Sequence, residues 1–103
     1  MPKQRQAIKA IIYDRRGRVL SMGYNSYFKT HPMQARHAQQ AGEPDRQFLH
    51  AEIHAIVRCR DLSRADRIFV SRWDHQGRPK LAKPCKICES AIAAAGIKKI
   101  FHT

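Results

Sequence analysis

Pro84-Cys85-Lys86-Ile87-Cys88-Glu89-Ser90-Ala91-Ile92-Ala93-Ala94-Ala95-Gly96, followed directly by Ile97-Lys98-Lys99-Ile100-Phe101-His102, reads as a helix that stops and a strand that starts. The Ala and Ile content of residues 85–95 favours helix, and Pro84 loses no needed N–H at its start. Gly96 stands where a helix C-cap glycine belongs. Residues 97–102 are rich in β-branched and aromatic side chains and predict a strand. The same order occurs upstream. Residues 51–61 place Glu52, Ala55, Ile56 and Cys59 on one helical stripe, and residues 66–72 (Asp-Arg-Ile-Phe-Val-Ser-Arg) read as a strand.

Ahead of these lies a hairpin. Residues 7–13 (Ala-Ile-Lys-Ala-Ile-Ile-Tyr) read as a buried strand, Asp14-Arg15-Arg16-Gly17 as a turn, and residues 18–24 as the returning strand. Residues 26–48 are polar and irregular, with a short helix over 33–40, and residues 73–84 read as a loop. Hairpin, helix, strand, helix, strand predicts one α/β domain over residues 1–103, with crossovers onto a single mixed sheet.

The chain has 103 residues, 43% hydrophobic and 27% charged, which excludes collagen-like and disordered classes. A chain this short buries about two-thirds of its unfolded surface, so its core is thin. No run approaches the roughly 18 apolar residues of a membrane span. The basic start, residues 1–6, is followed by a strand pattern without a small-residue cleavage site, so it does not read as a secretory signal. Three cysteines without such a signal point to metal or redox chemistry in a reducing compartment, the cytoplasm. The net charge of +12 suggests a phosphorylated or polyanionic partner. The basic residues read as scattered and mostly solvated, apart from Arg78, Lys80, Lys83 and Lys86, which approach the Cys85 helix and suit a phosphate.

His50, Cys85 and Cys88 are three good zinc ligands, and three protein ligands leave a tetrahedral zinc one open position. His50 precedes one helix while Cys85 and Cys88 fall in the first turn of another, where free N–H groups favour thiolate. Two helix starts at one sheet edge aim all three at one point. Glu52, two residues after His50, is close enough to exchange a proton with an activated water without binding the metal. That combination suits hydrolytic deamination at an amidine carbon. A structural zinc knuckle is the bland alternative. His50 and His54 are four apart, but a metalloprotease helix needs Glu directly after the first His, and Ala51 stands there. His54 therefore reads as a packed or rim residue, and Cys59 as an inert core thiol.

His50-Ala51-Glu52 followed by Pro84-Cys85-Lys86-Ile87-Cys88 resembles the His-x-Glu and Pro-Cys-x-x-Cys signature of the zinc-dependent cytidine, deoxycytidylate and tRNA-adenosine deaminase superfamily. The resemblance runs from the residue-7 strand to the C-terminus. It implies the cytidine deaminase-like three-layer sandwich, Zn²⁺ on His50, Cys85 and Cys88, and Glu52 as proton shuttle. Asn25 falls where many members have an Asn that contacts sugar or base. Tyr24, Ala51 and Trp73 complete the candidate substrate contacts, with Tyr27 and Phe28 beside them. His31 and His37 would be the ligands of any second metal. The family usually has a helix ahead of the first strand, and its absence here predicts a homo-oligomer that buries the exposed sheet face. The longer gaps from Asn25 to His50 and from Glu52 to Cys85 bear on the pocket rim. The expected substrate is a cytosine on a free nucleotide such as deoxycytidylate. Single-stranded DNA, RNA or tRNA is the second expectation, and a non-catalytic zinc-stabilised nucleic-acid-binding module the third.

Overall fold

A computed structural model describes residues 7–25, 31–40, 42, 50–74 and 76–103. Strands β1 (Ala7–Tyr13) and β2 (Val19–Tyr24) form the expected antiparallel hairpin, with Ile11 opposite Met22 and a register shift at Ile12/Tyr13. Helices α1 (Pro32–Gln40) and α2 (Ala51–Arg58) follow, then a 3₁₀ turn (Leu62–Arg64) and β3 (Arg67–Trp73). A two-residue strand β4 (Pro79–Lys80), helix α3 (Lys86–Ala94) and β5 (Lys99–His102) complete the order.

β1 is antiparallel to both β2 and β3, so β2 and β3 run the same way, and β5 joins β3 in parallel. The sheet order is β2-β1-β3, with β5 along the first part of β3 and β4 along its last two residues. Sequence reading assigns residues 73–84 to a loop, and the structure finds β4 there. A strand of two residues that starts with Pro79 has no periodicity to detect, and Pro is tolerated because the strand lies at an edge.

The β1–β2 turn and the β3–β4 turn share one device. Asp14 Oδ1 accepts the N–H groups of Arg16 and Arg18 at 2.9 Å each, and Arg18 Nε returns to Asp14 Oδ2 at 3.0 Å. Asp74 does the same with Gln76, Arg78 and the Arg78 guanidinium. Gly17 and Gly77 supply the positive φ that closes each turn. The shared Asp-x-x-Gly-Arg pattern is a turn signal visible in the sequence.

One face of the sheet presents Ala10, Ile12, Ile68 and Val70, all fully or almost fully buried. Against it pack Ile53, Ile56, Ile87 and Ile92 from α2 and α3, each of which contributes about 1.5–3 kcal/mol on burial. Gly23 lets β2 and α2 meet backbone to backbone, and Ser21 Oγ donates to the Ala55 carbonyl at 2.7 Å, in the last turn of α2 where carbonyls lack a partner four residues on. The opposite face carries the register row Met22, Ile11, Phe69, Phe101, with Met22, Phe69 and Phe101 more than a third exposed. The described residues thus supply a helix layer and a sheet layer. Among them no helix is long and apolar enough to cross a membrane.

The topology fixes where a site forms. β2, β3 and β5 all end at the same sheet edge, and each crossover helix runs back from that edge. The starts of α2 and α3 therefore lie together beyond the carboxyl ends of the strands, the usual place for a ligand in an open α/β sheet.

Candidate metal and active site

His50 is the N-cap residue of α2 and Cys85 the N-cap residue of α3, both with extended backbone, and Cys88 lies in the first turn of α3. His50 Nδ1 is 3.2 Å from Cys88 Sγ and 3.6 Å from Cys85 Sγ. The three ligand atoms lie within 4.8 Å of one another, the one such metal-capable group of His, Cys, Asp and Glu among the described residues. With Zn–N near 2.0–2.1 Å and Zn–S near 2.3 Å, a tetrahedral zinc needs its N and S ligands about 3.6 Å apart. The donor set and its spacing fit zinc. Because no fourth donor joins the group among the described residues, the remaining coordination position is left for a water or a substrate atom.

Electrostatics agree with ligand chemistry. Cys85 is held down to about 3, first by the hydrogen bond from the Cys88 thiol and then by His50. Cys88 is pushed up because it carries the proton of the pair and is buried. A divalent cation bound there would favour both sulfurs as thiolates.

Glu52 is 5% exposed, in the first turn of α2, and its carboxyl group interacts electrostatically with Cys88 and His50. Burial raises its pKa, the direction that suits a group cycling between acid and base. It stands beside the ligand cluster and outside it.

Helix α1 braces both ligand-bearing helices. Gln34, fully buried, accepts the His50 backbone N–H on Oε1 at 3.1 Å. One turn later, His37 Nδ1 and the Ser90 hydroxyl of α3 share a hydrogen bond of 3.0 Å. Sequence reading missed Gln34 altogether, since a lone Gln in a polar segment carries no pattern. His37, considered for a second metal, is engaged with Ser90, and His31 Nδ1 accepts the Met33 N–H at the start of α1.

The remaining candidates fall at the same sheet end. Asn25 Oδ1 accepts the Ile8 N–H at 3.0 Å and the Asn25 N–H returns to the Ile8 carbonyl at 3.2 Å, which closes the open end of the hairpin. Ala51, fully buried, opens α2 between His50 and Glu52. Tyr24 and Trp73 are at register positions on the face away from the helices, Tyr24 opposite Lys9 and Trp73 opposite Ala7. His54 Nδ1 accepts the Tyr24 N–H at 3.0 Å, a packing role. Cys59 is buried in the core. Arg78 and Lys80 reach Asp74 at 3.0 and 3.9 Å, while Lys83 and Lys86 are exposed on either side of Cys85. Tyr27 and Phe28 lie outside the described residues.

Residues 1–103 match the family profile described as the cytidine and deoxycytidylate deaminase zinc-binding region. A search of curated proteins finds no match.

Proposed function

The chain belongs to the cytidine and deoxycytidylate deaminase zinc-binding family, and from that premise we propose that it is a single-domain enzyme converting cytosine to uracil on a free nucleotide such as deoxycytidylate. The observation that carries the reading is a three-ligand zinc cluster with Glu52 beside Cys88 and outside the cluster. Zinc bound by His50, Cys85 and Cys88 supplies a Lewis acid that lowers the pKa of water towards 7.

Glu52 accepts a proton as water attacks the carbon bearing the exocyclic amine, and delivers it to the adjacent ring nitrogen. It then moves the second water proton to the departing amine, so that cytosine and water become uracil and ammonia. Its burial excludes bulk solvent from these transfers. Asn25 and Ala51, on the helix side, are assigned to hold sugar and base, with Tyr24 and Trp73 at the rim. The row Met22, Ile11, Phe69, Phe101 is assigned to contact between copies of the chain, because it is apolar and far less charged than the rest of this surface. Three thiols without a disulfide suit the cytoplasm.

The test is Glu52→Ala protein incubated with free nucleosides, nucleotides and single-stranded oligonucleotides while uracil, inosine and ammonia are followed. The variant keeps one zinc per chain and loses ammonia release by a factor of about 10² or more. Full activity in this variant would sink the mechanism. The charge of +12 favours a second reading, in which the base arrives on a single-stranded nucleic acid, and turnover of oligonucleotides alone would establish it.

A further inference from the structure

The fold gathers cations at the sheet edge opposite the zinc ligands. Arg15, Arg16 and Arg18 come from the β1–β2 turn, Arg64 from the 3₁₀ turn before β3, and Lys98 from the turn between α3 and β5. With Asp14 and Asp66 they line one open cleft of about 500 Å³. The sequence separates Arg15 from Lys98 by 83 positions, and these residues read there as scattered. The structure corrects that reading, because β1 ends, and β2, β3 and β5 begin, at the same edge.

Five cations face two carboxylates in this cleft. Asp14, 4% exposed, is shared by Arg18 Nε at 3.0 Å and an Arg64 guanidinium nitrogen at 3.5 Å, so one buried charge orients two guanidinium groups. Asp66 is engaged by Arg67 at 3.0 Å. Arg15, Arg16 and Lys98 have no carboxylate within 4 Å among the described residues. The Asp–Arg pair belongs to the turn itself, since Asp74 and Arg78 repeat it at the other turn. The surplus of cations does not.

We propose that this cleft is a phosphate-binding site separate from the zinc site, for a ligand carrying two or more adjacent phosphate groups. Guanidinium forks pair two-pronged with phosphate oxygens, and Arg15, Arg16 and Lys98, lining the same cleft beside the Arg18–Asp14–Arg64 cluster, favour a polyphosphate over a single monoester. The seven residues of β3 span about 20 Å from this edge to the other, more than one nucleotide reaches. The ligand is therefore not the phosphate of a nucleotide whose base is at the zinc. It is either the backbone of a single-stranded nucleic acid or a free polyphosphate.

Calorimetry with inorganic tripolyphosphate and fluorescence anisotropy with a single-stranded 20-mer distinguish the two sources. Both are run on the zinc-loaded protein, on R15A/R16A and on R78A/K80A, which removes equal charge from the β3–β4 hairpin. Arg15 and Arg16 are exposed, so their loss leaves the fold, the zinc content and the turnover of free nucleotides unchanged. The expected result is at least tenfold weaker binding for R15A/R16A and no more than twofold for R78A/K80A. For the oligonucleotide, the slope of log K against log[salt] falls by about 1.4 in R15A/R16A. Tighter binding of the 20-mer identifies a backbone and tighter binding of tripolyphosphate a free polyphosphate. Equal losses in both variants, or no binding of either probe by the unaltered protein, would overturn the proposal. Neither readout depends on deamination.

Discussion

Gly23 of β2 lies directly against Ala55 of α2, so that a methyl group added at Gly23 would overlap the Ala55 backbone nitrogen and the Ala51 carbonyl oxygen and sit 2.9 Å from the Ala55 Cα. Neither neighbour is a side-chain end that can swing aside. This contact sets the height at which α2 starts, and with it the position of His50. Gly23→Ala is expected to cost about 3 kcal/mol by overpacking, read as a lower urea midpoint with an unchanged m-value. Zinc affinity falls with it. A variant as stable as the parent would show that the two backbones are not in contact.

Gln34 is the second support of the same ligand. Removing its side chain in Gln34→Ala leaves the His50 N–H without its acceptor, a loss of about 1–3 kcal/mol in stability. Outer partners of metal ligands are typically worth 10–100-fold in metal affinity, and competition with a chromophoric chelator is expected to show a weakening in that range. Gln34→Glu keeps an acceptor at the same place and is expected to recover most of the affinity. Unchanged zinc affinity in Gln34→Ala would remove this residue from the site.

Zinc itself is a major support of so thin a core, because it joins the starts of α2 and α3. At a hundredfold excess over Kd, a ligand specific to the folded state contributes about 2.7 kcal/mol. Chelation is therefore expected to lower Tm by on the order of 10 °C in a chain of this size. In the chelated protein an alkylating reagent reaches half-buried Cys85 before buried Cys88 and Cys59, and zinc protects the two ligands Cys85 and Cys88. A Tm indifferent to chelation would contradict the supporting role.

Asp14 and Asp74 predict the acid side of the stability curve. Both pKa values are lowered, first by backbone hydrogen bonds from Arg18 and Arg78 respectively. A carboxylate whose folded pKa lies below its unfolded value, near 3.9, stabilises the fold above that pH. The contribution disappears as pH falls through the lowered value. Asp14→Asn is therefore less stable than the parent at pH 7, and the difference shrinks as the pH is taken below about 4. Urea midpoints at pH 7 and pH 3 measure it. A difference that grows on acidification would reverse the sign of the argument.

Much of this was legible beforehand because the signals are local. The hairpin, the alternation of helix and strand, and the helix-start positions of His50, Cys85 and Cys88 follow from capping, periodicity and turn chemistry within a few residues. Glu52 belongs with them, since a two-residue offset on a helix start needs no knowledge of the rest of the fold. The Asp14 turn was equally local, whereas its repeat at Asp74 was read only as loop, and β4 lies just past it.

By itself, then, the sequence determined the order of every element longer than two or three residues, the zinc ligands and the acid beside them, because covalent spacing places those groups. Tertiary structure alone decided the rest. Gln34 under His50, His37 on Ser90, Gly23 against Ala55 and the cation-rich cleft from Arg15 to Lys98 join residues far apart in the chain. Their meeting depends on which strands begin and end at which sheet edge. That is a property of strand pairing, which no window of neighbouring residues contains.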